Sequence, residues 1–356
     1  MNLKPLQLAM IYLVIIVFGY MVMLTVQTPY PNGRDSMFHI LVARAWHKGM
    51  NGMISPVVMD INKLPYPPMY HILLAPFTYS QESAIIAQKA LQCLFYPIGL
   101  LLNMLLARKY KGDKIAILYG LLLTGTYYAF GMMQARPQSL EVLLFPVAVW
   151  ALLEKKKLFF FISVASMFYL HSPLSLALSA GLFIYGIARD KKDLGIWLTL
   201  LFVAPMVLYQ GSFMLNQSFL DRWVTSGDLG IYTETMDFIA DPAYWLINGL
   251  GMSVVGFFAI PVRLIWWRNQ SELDKLMVYS FLGFLIATPI WYMRVFHFAI
   301  MPLAFFTAVF INNSIKNSKS KYLTVLLVGL LLVQVVWFMI NPVFWMSPPP
   351  YMEQYW

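Results

Sequence analysis

Charged side chains are scarce in this sequence, and their scarcity excludes a water-soluble globular protein. Only 12% of the residues are charged, whereas about 25% are charged in a typical soluble domain. Because hydrophobic residues make up 60% of the chain, too few polar side chains remain to cover a surface that faces water. Cysteine is nearly absent as well, and the single Cys93 excludes a disulfide within the chain. The composition therefore predicts a protein whose surroundings are mostly lipid.

Long apolar runs stand where a soluble protein would have charged surface. Eleven of them are long enough, alone or with their flanks, for helices that cross a hydrocarbon core of ~30 Å. They are 6–26, 83–107, 115–133, 139–153, 158–170, 173–188, 194–210, 243–262, 276–292, 297–313 and 322–340. The first run lacks a small-residue cleavage site, so we interpret it as a retained span and not as a signal peptide. The sequence thus predicts an all-α polytopic membrane protein of about eleven transmembrane helices, with a single transmembrane domain over residues 1–356.

The basic residues are concentrated in every second connection between these spans. Three of the clusters are Arg108, Lys109, Lys111 and Lys114; Lys155, Lys156 and Lys157; and Arg189, Lys191 and Lys192. By the positive-inside rule these connections are cytoplasmic, which places the N-terminus in the cytoplasm and the C-terminus outside a cell membrane. The net charge of +9 is then a signal of membrane topology, and it does not indicate a nucleic-acid partner.

Two long connections, 27–82 and 211–242, carry the polar residues of the predicted outer side. After Asp35 in the first loop, apolar residues recur at helical spacing, at Phe38, Leu41, Val42, Ala45 and Trp46. This pattern predicts an amphipathic surface helix over about 35–49. A carboxylate at the start of a helix stays ionised, so Asp35 suits a general base, although a simple helix cap is the alternative. His39 follows one turn later and shares its face.

A proline-rich segment closes the first outer loop. Prolines at 65, 67, 68 and 76 predict the start and the end of a short helix at the membrane surface. Tyr66, Tyr70 and His71 supply aromatic rings with polar tips, which are typical of a membrane interface. We therefore include these three residues among those that line a site at the outer face.

Positive charge is disfavoured on the outer side, so the arginines there are candidate ligand-binding residues. Arg34, Arg136 and Arg294 lie in or beside outer connections, where a planar, permanently charged guanidinium suits a phosphate. Contact with lipid headgroups is the alternative. His171 and Glu141 lie near the outer ends of two spans, and an ionisable group at that depth either lines a site or bonds to a neighbouring helix.

In their order and their common side, these segments resemble a known family. The matching segments are Arg34-Asp35-Ser36-Met37-Phe38-His39, residues 43–49, the Tyr-Pro-Pro-Met-Tyr-His run at 66–71, Ala135–Leu140, residues 170–173 and the turn at Arg294. Together they resemble the GT-C superfamily of polytopic membrane glycosyltransferases, over roughly residues 1–310. The chain looks most similar to bacterial and archaeal relatives of dolichyl-phosphate-mannose protein mannosyltransferases.

The resemblance implies an inverting glycosyltransferase with its active site at the outer surface. A sugar would move from a polyprenyl-phosphate-linked donor to a glycan, lipid or protein acceptor. Asp35 would be the catalytic base, and Arg294 and Arg136 would bind the donor phosphate. His71 and Tyr66 would line the site, and we include Arg34, His39, Tyr70, His171 and Glu141 as further candidates to line it. Many relatives have an acidic pair in this loop, but here Arg34 precedes Asp35 and no Asp-x-Asp motif is present, so no metal cofactor is predicted.

Three other interpretations stay open at this point. A polytopic transporter or flippase of a lipid-linked or anionic substrate is the main alternative, although such proteins favour charges near the middle of the membrane and internal repeats. A metal-dependent enzyme would use Asp35, His39, Asp60 and His71 around a divalent ion. A non-catalytic subunit of a larger assembly would keep the same fold.

Overall fold

The chain folds into a bundle of helices. We describe residues 4–28, 31, 36–47, 53–55, 58–60, 69–124, 126, 129, 132, 136–170, 172–216, 250–291, 298–317 and 321–340 of a computed structural model. Within these residues the helices are α1 (Pro5–Gln27), α2 (Ser36–His47), α3 (Met69–Leu74), α4 (Gln81–Lys111), α5 (Asp113–Leu123), α6 (Pro137–Leu153), α7 (Lys157–Leu170), α8 (Ser172–Arg189), α9 (Leu194–Asn216), α10 (Gly256–Ile265), α11 (Glu272–Trp291), α12 (Ile300–Asn317) and α13 (Lys321–Ile340).

Shorter elements complete the described fold. Single 3₁₀ turns or short 3₁₀ helices cover Ala75–Phe77, Gly251–Val255 and Trp267–Asn269. In the first loop, β1 (Met53–Ser55) pairs antiparallel with β2 (Val58–Asp60), with Met53 opposite Asp60. This small ribbon is a departure from the all-helical prediction, because six residues of low periodicity gave no signal for strands.

Each of the eleven predicted spans overlaps one of these helices, which are α1 and α4 to α13. Within the described residues, α1 and α4 are each long enough and apolar enough to cross a membrane, and the apolar parts of the others are shorter. Large apolar side chains such as Val26, Leu201, Phe258 and Trp337 are mostly exposed on four different helices. An apolar surface spread over the bundle suits lipid and not water. The number of membrane crossings remains a prediction.

Ion pairs join the basic connections at one end of the bundle. The pairs are Lys111–Asp274 (2.5 Å), Arg108–Asp113 (2.8 Å), Lys109–Glu154 (3.0 Å) and Lys157–Asp193 (3.1 Å). They link the start of α5, the α6–α7 and α8–α9 connections and the start of α11 to one another or to the end of α4. The connections that carry the basic clusters are therefore neighbours in space. Since α4 has 31 residues and is about 46 Å long, its first turn lies at the opposite end.

Glycines let two helices of the bundle approach closely. A Cβ atom added to Gly181 of α8 would collide with the carbonyl oxygen of Tyr279 in α11, and one added to Gly283 would lie 2.7 Å from the Gly181 nitrogen. Small residues at such a contact allow membrane helices to pack backbone against backbone. This contact joins α11 to the centre of the bundle.

The helix α5 ends inside the bundle, and its last carbonyl groups are bonded locally. With eleven residues it is about 16 Å long, which is too short to cross a hydrocarbon core. The backbone N–H of Thr124 donates to the carbonyl of Gly120 (3.1 Å), and the hydroxyl of Thr126 donates to that of Leu123 (2.7 Å). An unbonded carbonyl away from water is costly, so the break depends on these partners.

The side chain of Gln334, in α13, supplies the remaining hydrogen bonds at this break. Its Nε2 donates to the carbonyls of Leu122 (3.3 Å) and Thr124 (3.0 Å), while its Oε1 accepts from the backbone N–H of Met252 (2.8 Å). Gly251 has a φ of 52°, and a Cβ there would collide with Oε1 of Gln334. One amide thus joins the end of α5 to the 3₁₀ helix before α10, and we call this contact the Gln334 clamp.

Replacing Gln334 with Met should destabilise the fold, although the residues that Gln334 contacts are unchanged. Met keeps the length of the side chain but leaves two carbonyls and one N–H without partners. We expect the free energy of unfolding to fall by about 1–3 kcal/mol. The measurement is an unfolding titration with sodium dodecyl sulfate in mixed micelles, with lipid-facing Leu332→Met as the control. Equal stability of Gln334→Met and wild type would contradict the assigned contact.

Candidate functional site

The helices α2 and α3 pack together at the end of the bundle opposite the ion pairs, and we call them the platform. The buried apolar cluster that holds them in place consists of Ile40, Ala43, Tyr70, Leu74, Ala84 and Leu170. Ala84 lies in the first turn of α4 and Leu170 is the last residue of α7. The platform is therefore fixed to the ends of two long helices by packing.

The predicted surface helix over 35–49 is confirmed as α2, but it is buried more completely than an amphipathic surface helix. Ile40 and Ala43 are inaccessible, although the spacing assigned them to neither the apolar face nor the core. Trp46, which the spacing assigned to the apolar face, is 45% exposed. The helix is buried more completely because α3, the 3₁₀ turn at Ala75–Phe77 and α4 all pack against it. The short helix predicted between the prolines is confirmed as α3.

The structure brings His39 and His71 together within the platform. Nδ1 of His39 lies 2.9 Å from Nε2 of His71, and both side chains are buried. At this distance one nitrogen must carry the proton and donate it to the other. A proton on both of these nitrogens would leave two donors facing each other without an acceptor, which is unfavourable. The two imidazoles therefore form one polar unit that is most stable with a single shared proton at this contact.

Tyr70 connects this unit to the bundle. Its ring meets the rings of His39 and His71 edge to face, with centroids 5.4 and 5.7 Å apart. Its hydroxyl oxygen accepts a hydrogen bond from Nε2 of Gln88 in α4 (3.3 Å), and the same Nε2 donates to the carbonyl of Ser36 (3.3 Å). Ser36 is the first residue of α2. Gln88 thus bonds to both helices of the platform.

Arg136 is the N-terminal cap residue of α6, and its charge acts on Tyr70. Burial raises the pKa of the Tyr70 phenol, and the Arg136 guanidinium opposes that increase. The phenol stays protonated at neutral pH. The structure therefore places one of the two predicted phosphate-binding arginines beside the platform, half-buried at its rim.

Glu141 is fully buried one turn further along α6. Its Oε1 accepts a hydrogen bond from the hydroxyl of Ser175 in α8. Of the two readings of this residue, the structure shows the bond between helices, and a role in lining the site stays a prediction. The bond ties α6, which begins beside Arg136, to its neighbour α8.

The remaining predicted site residues are Asp35, Arg34, Tyr66, His171 and Arg294, which lie outside the described residues. Their positions in the sequence are next to described elements, since Asp35 directly precedes α2 and His171 directly follows α7. In the described part of the chain, no group of three or more His, Cys, Asp or Glu side chains has a geometry that holds a metal ion. The four-residue metal alternative includes Asp35, so it stays untested.

Two polar residues that matter in this structure were not singled out from the sequence. Gln88 and Ser175 each stand within apolar helices, and each bonds to a residue far away in the chain. A polar side chain inside a predicted span was the available signal. Its partner was not predictable, because the contact depends on how the helices pack.

The contact between His39 and His71 predicts that the stability losses of the single variants do not add up in the double variant. Replacing either His39 or His71 with Phe leaves the other ring without its partner, so each single variant should lose about 1–3 kcal/mol of stability. The double variant replaces both polar rings with apolar rings of similar shape, and it should lose less than the sum of the two. Thermal unfolding of the four proteins in one detergent measures the coupling. Additive losses would contradict a direct bond between the rings.

Eight solved chains are similar to this chain, and they include the two that follow. One is the archaeal oligosaccharyltransferase AglB from Archaeoglobus fulgidus in complex with an inhibitory peptide and a dolichol-phosphate, with 11% sequence identity and a TM-score of 0.59 over 96% of this chain. The other is ArnT from Cupriavidus metallidurans bound to undecaprenyl phosphate, with 13% identity and a TM-score of 0.50 over 86% of this chain. No family model and no curated protein matches the sequence.

The similarity covers most of this chain but little more than half of each of those proteins, 56% of AglB and 60% of ArnT. At such low sequence identity it establishes the fold alone. AglB and ArnT are both GT-C superfamily membrane glycosyltransferases. The chain therefore has the fold of these integral membrane enzymes, which confirms the fold that the sequence resemblance implied.

Proposed function

We propose that this chain is an inverting membrane glycosyltransferase that takes its sugar from a polyprenyl-phosphate-linked donor. The observation that carries the proposal is the arrangement at the platform. Arg136 stands beside Tyr70, and Gln88 bonds both Tyr70 and Ser36, the residue that follows Asp35. A permanent positive charge and a candidate base thus belong to adjoining elements. AglB and ArnT, which share the fold, were solved with dolichol-phosphate and undecaprenyl phosphate.

The proposed reaction is a direct displacement at the anomeric carbon of the donor sugar. The acceptor hydroxyl attacks this carbon while its proton moves to the carboxylate of Asp35. The bond between the anomeric carbon and the phosphate oxygen breaks, and its electron pair leaves with the polyprenyl phosphate. Arg136 and Arg294 would stabilise the negative charge that develops on that phosphate. Attack from the face opposite the leaving group inverts the anomeric centre.

The platform residues would form the wall of this site. His39, Tyr70 and His71 are buried, so they would form the base of this wall, and they add no fixed negative charge next to the phosphate. Glu141 would support α6 through Ser175 and so keep Arg136 in place. Arg34, Tyr66 and His171 are proposed to line the remaining sides, on the basis of their places in the sequence.

We also propose the membrane arrangement that the basic clusters predict. Eleven crossings, an N-terminus in the cytoplasm and a platform on the outer face account for the ion pairs at one end of the bundle and the platform at the other. The acceptor would then be a glycan, lipid or protein hydroxyl outside the cell membrane.

The variant Asp35→Asn tests the base. The amide cannot accept the proton of the acceptor hydroxyl, so kcat should fall about 100-fold or more. The assay is release of radiolabelled sugar from a panel of polyprenyl-phosphate sugars, with the purified protein in nanodiscs. Asp60→Asn in the same loop serves as the matched control and should keep wild-type turnover.

Other outcomes of this assay separate the alternatives. Equal losses in Asp35→Asn and Asp60→Asn, reversed by a divalent cation, would favour the metal-dependent enzyme. Unchanged turnover in Asp35→Asn would remove this residue from the mechanism. If wild type neither releases sugar from any donor nor binds one, the glycosyltransferase proposal is wrong. A transporter or a non-catalytic subunit is then the better interpretation.

The variants Arg136→Gln and Arg136→Lys test the phosphate contact. Loss of a charge-assisted hydrogen bond should raise the KM for the donor about tenfold or more in Arg136→Gln. Lys keeps the charge but lacks the planar, bidentate geometry of Arg. The donor KM of Arg136→Lys should therefore lie between those of wild type and Arg136→Gln. Arg44→Gln removes another arginine at the same end and controls for general charge. A donor KM that rises equally in the Arg136 and Arg44 glutamine variants would argue against a specific phosphate contact.

A further inference from the structure

Gln88 is the point at which the platform is bonded to the long helix α4. The side chain is completely buried, and its Nε2 lies 3.3 Å from both the carbonyl oxygen of Ser36 and the hydroxyl of Tyr70. Ser36 begins α2 and Tyr70 lies in α3. The two helices of the platform therefore share one hydrogen-bond donor.

The part of α4 that carries Gln88 is a firm support for these bonds. The hydroxyl of Ser80 accepts a hydrogen bond from the backbone N–H of Ser83 (3.1 Å), and the side chain of Ser83 accepts one from the backbone N–H of Ser80 (3.2 Å). This reciprocal cap fixes the first turn of α4. Ala84 then packs into the apolar cluster of the platform. Gln88 follows one turn later, within a helix of 31 residues.

The orientation of the Gln88 amide is fixed by its partner. The carbonyl of Ser36 can only accept, so the NH₂ group must face it and Oε1 must point elsewhere. Gln88 Oε1 is buried and accepts no hydrogen bond from the described residues. A buried acceptor without a donor reduces stability, and an apolar side chain of the same length would avoid that cost. The glutamine therefore has a stability cost at Oε1 beside the two hydrogen bonds that its Nε2 donates.

We propose that Gln88 is a positioning residue for glycosyl transfer, an inference that rests on the proposed function. Through the carbonyl of Ser36 it sets the start of α2, and with it the residue immediately before, Asp35. Through its bond to the hydroxyl of Tyr70, Gln88 also holds α3 in place beside Arg136. One amide thus links the first residue of α2, which follows the proposed base in the sequence, to the Tyr70 hydroxyl beside Arg136, without touching the substrate.

Replacement of Gln88 by Met tests this role. Met fills the same space but donates to neither Ser36 nor Tyr70. A displacement of about 1 Å in a catalytic group lowers turnover up to about 100-fold, so we expect kcat to fall about tenfold or more. The donor KM should change little, because the arginines that would bind the phosphate are untouched. Gln334→Met is the matched control, since it removes a buried glutamine amide with three hydrogen bonds at the Gln334 clamp.

Hydrogen exchange provides a second measurement that does not depend on activity. Peptides that cover residues 36–47 should exchange faster in Gln88→Met than in wild type or Gln334→Met. If kcat falls no further in Gln88→Met than in Gln334→Met, or if it falls while these peptides exchange as in wild type, the inference is wrong. A wild type that turns over no donor would instead refute the proposed function, and exchange would still show whether Gln88 fixes the start of α2.

Discussion

The structure depends on one constraint, which is that backbone N–H and C=O groups within a membrane must find hydrogen-bond partners inside the protein. Continuous helices meet this condition by themselves, so most of the chain is helical. Where α5 ends early at Leu123, the condition is met by Thr124, Thr126 and the amide of Gln334. The irregular backbone at this depth is therefore an organised contact between α5, α13 and the 3₁₀ helix before α10.

The same constraint gathers charged and polar side chains at the two ends of the bundle. A reaction of such groups can therefore take place at these ends. At one end of the bundle, basic connections form ion pairs with Asp113, Glu154, Asp193 and Asp274. At the other end, the platform gathers polar groups in a buried setting, with the His39–His71 contact at its centre. A reaction that starts with a lipid-linked anion and ends with a water-facing product needs such a boundary, where a lipid tail and a polar acceptor meet.

Each of the eleven hydrophobic runs overlaps a helix, because apolar character is a local property of the sequence, but the run did not predict that α5 ends after 11 residues. Helical spacing predicted α2, and prolines predicted α3, for the same reason. The contact between His39 and His71 joins residues 32 positions apart and arises from the way α3 folds back on α2, so no local pattern contains it. Gln88 and Gln334 were visible only as polar residues in apolar helices. Glu141 shows the limit most clearly, since its sequence context fitted a site and an interhelical bond equally well, and its bond to Ser175 follows from the packing of α8, which no local pattern contains.

We propose that the platform end of the bundle binds a polyprenyl phosphate. A structure determined by electron cryomicroscopy, with the protein in nanodiscs and a polyprenyl phosphate added, tests this claim most directly. Our account predicts density for the phosphate in contact with Arg136, next to Tyr70, with the lipid tail leaving between helices. Phosphate density at the opposite end, among the basic connections near Lys111 and Lys157, or at the platform without contact to Arg136, would contradict it.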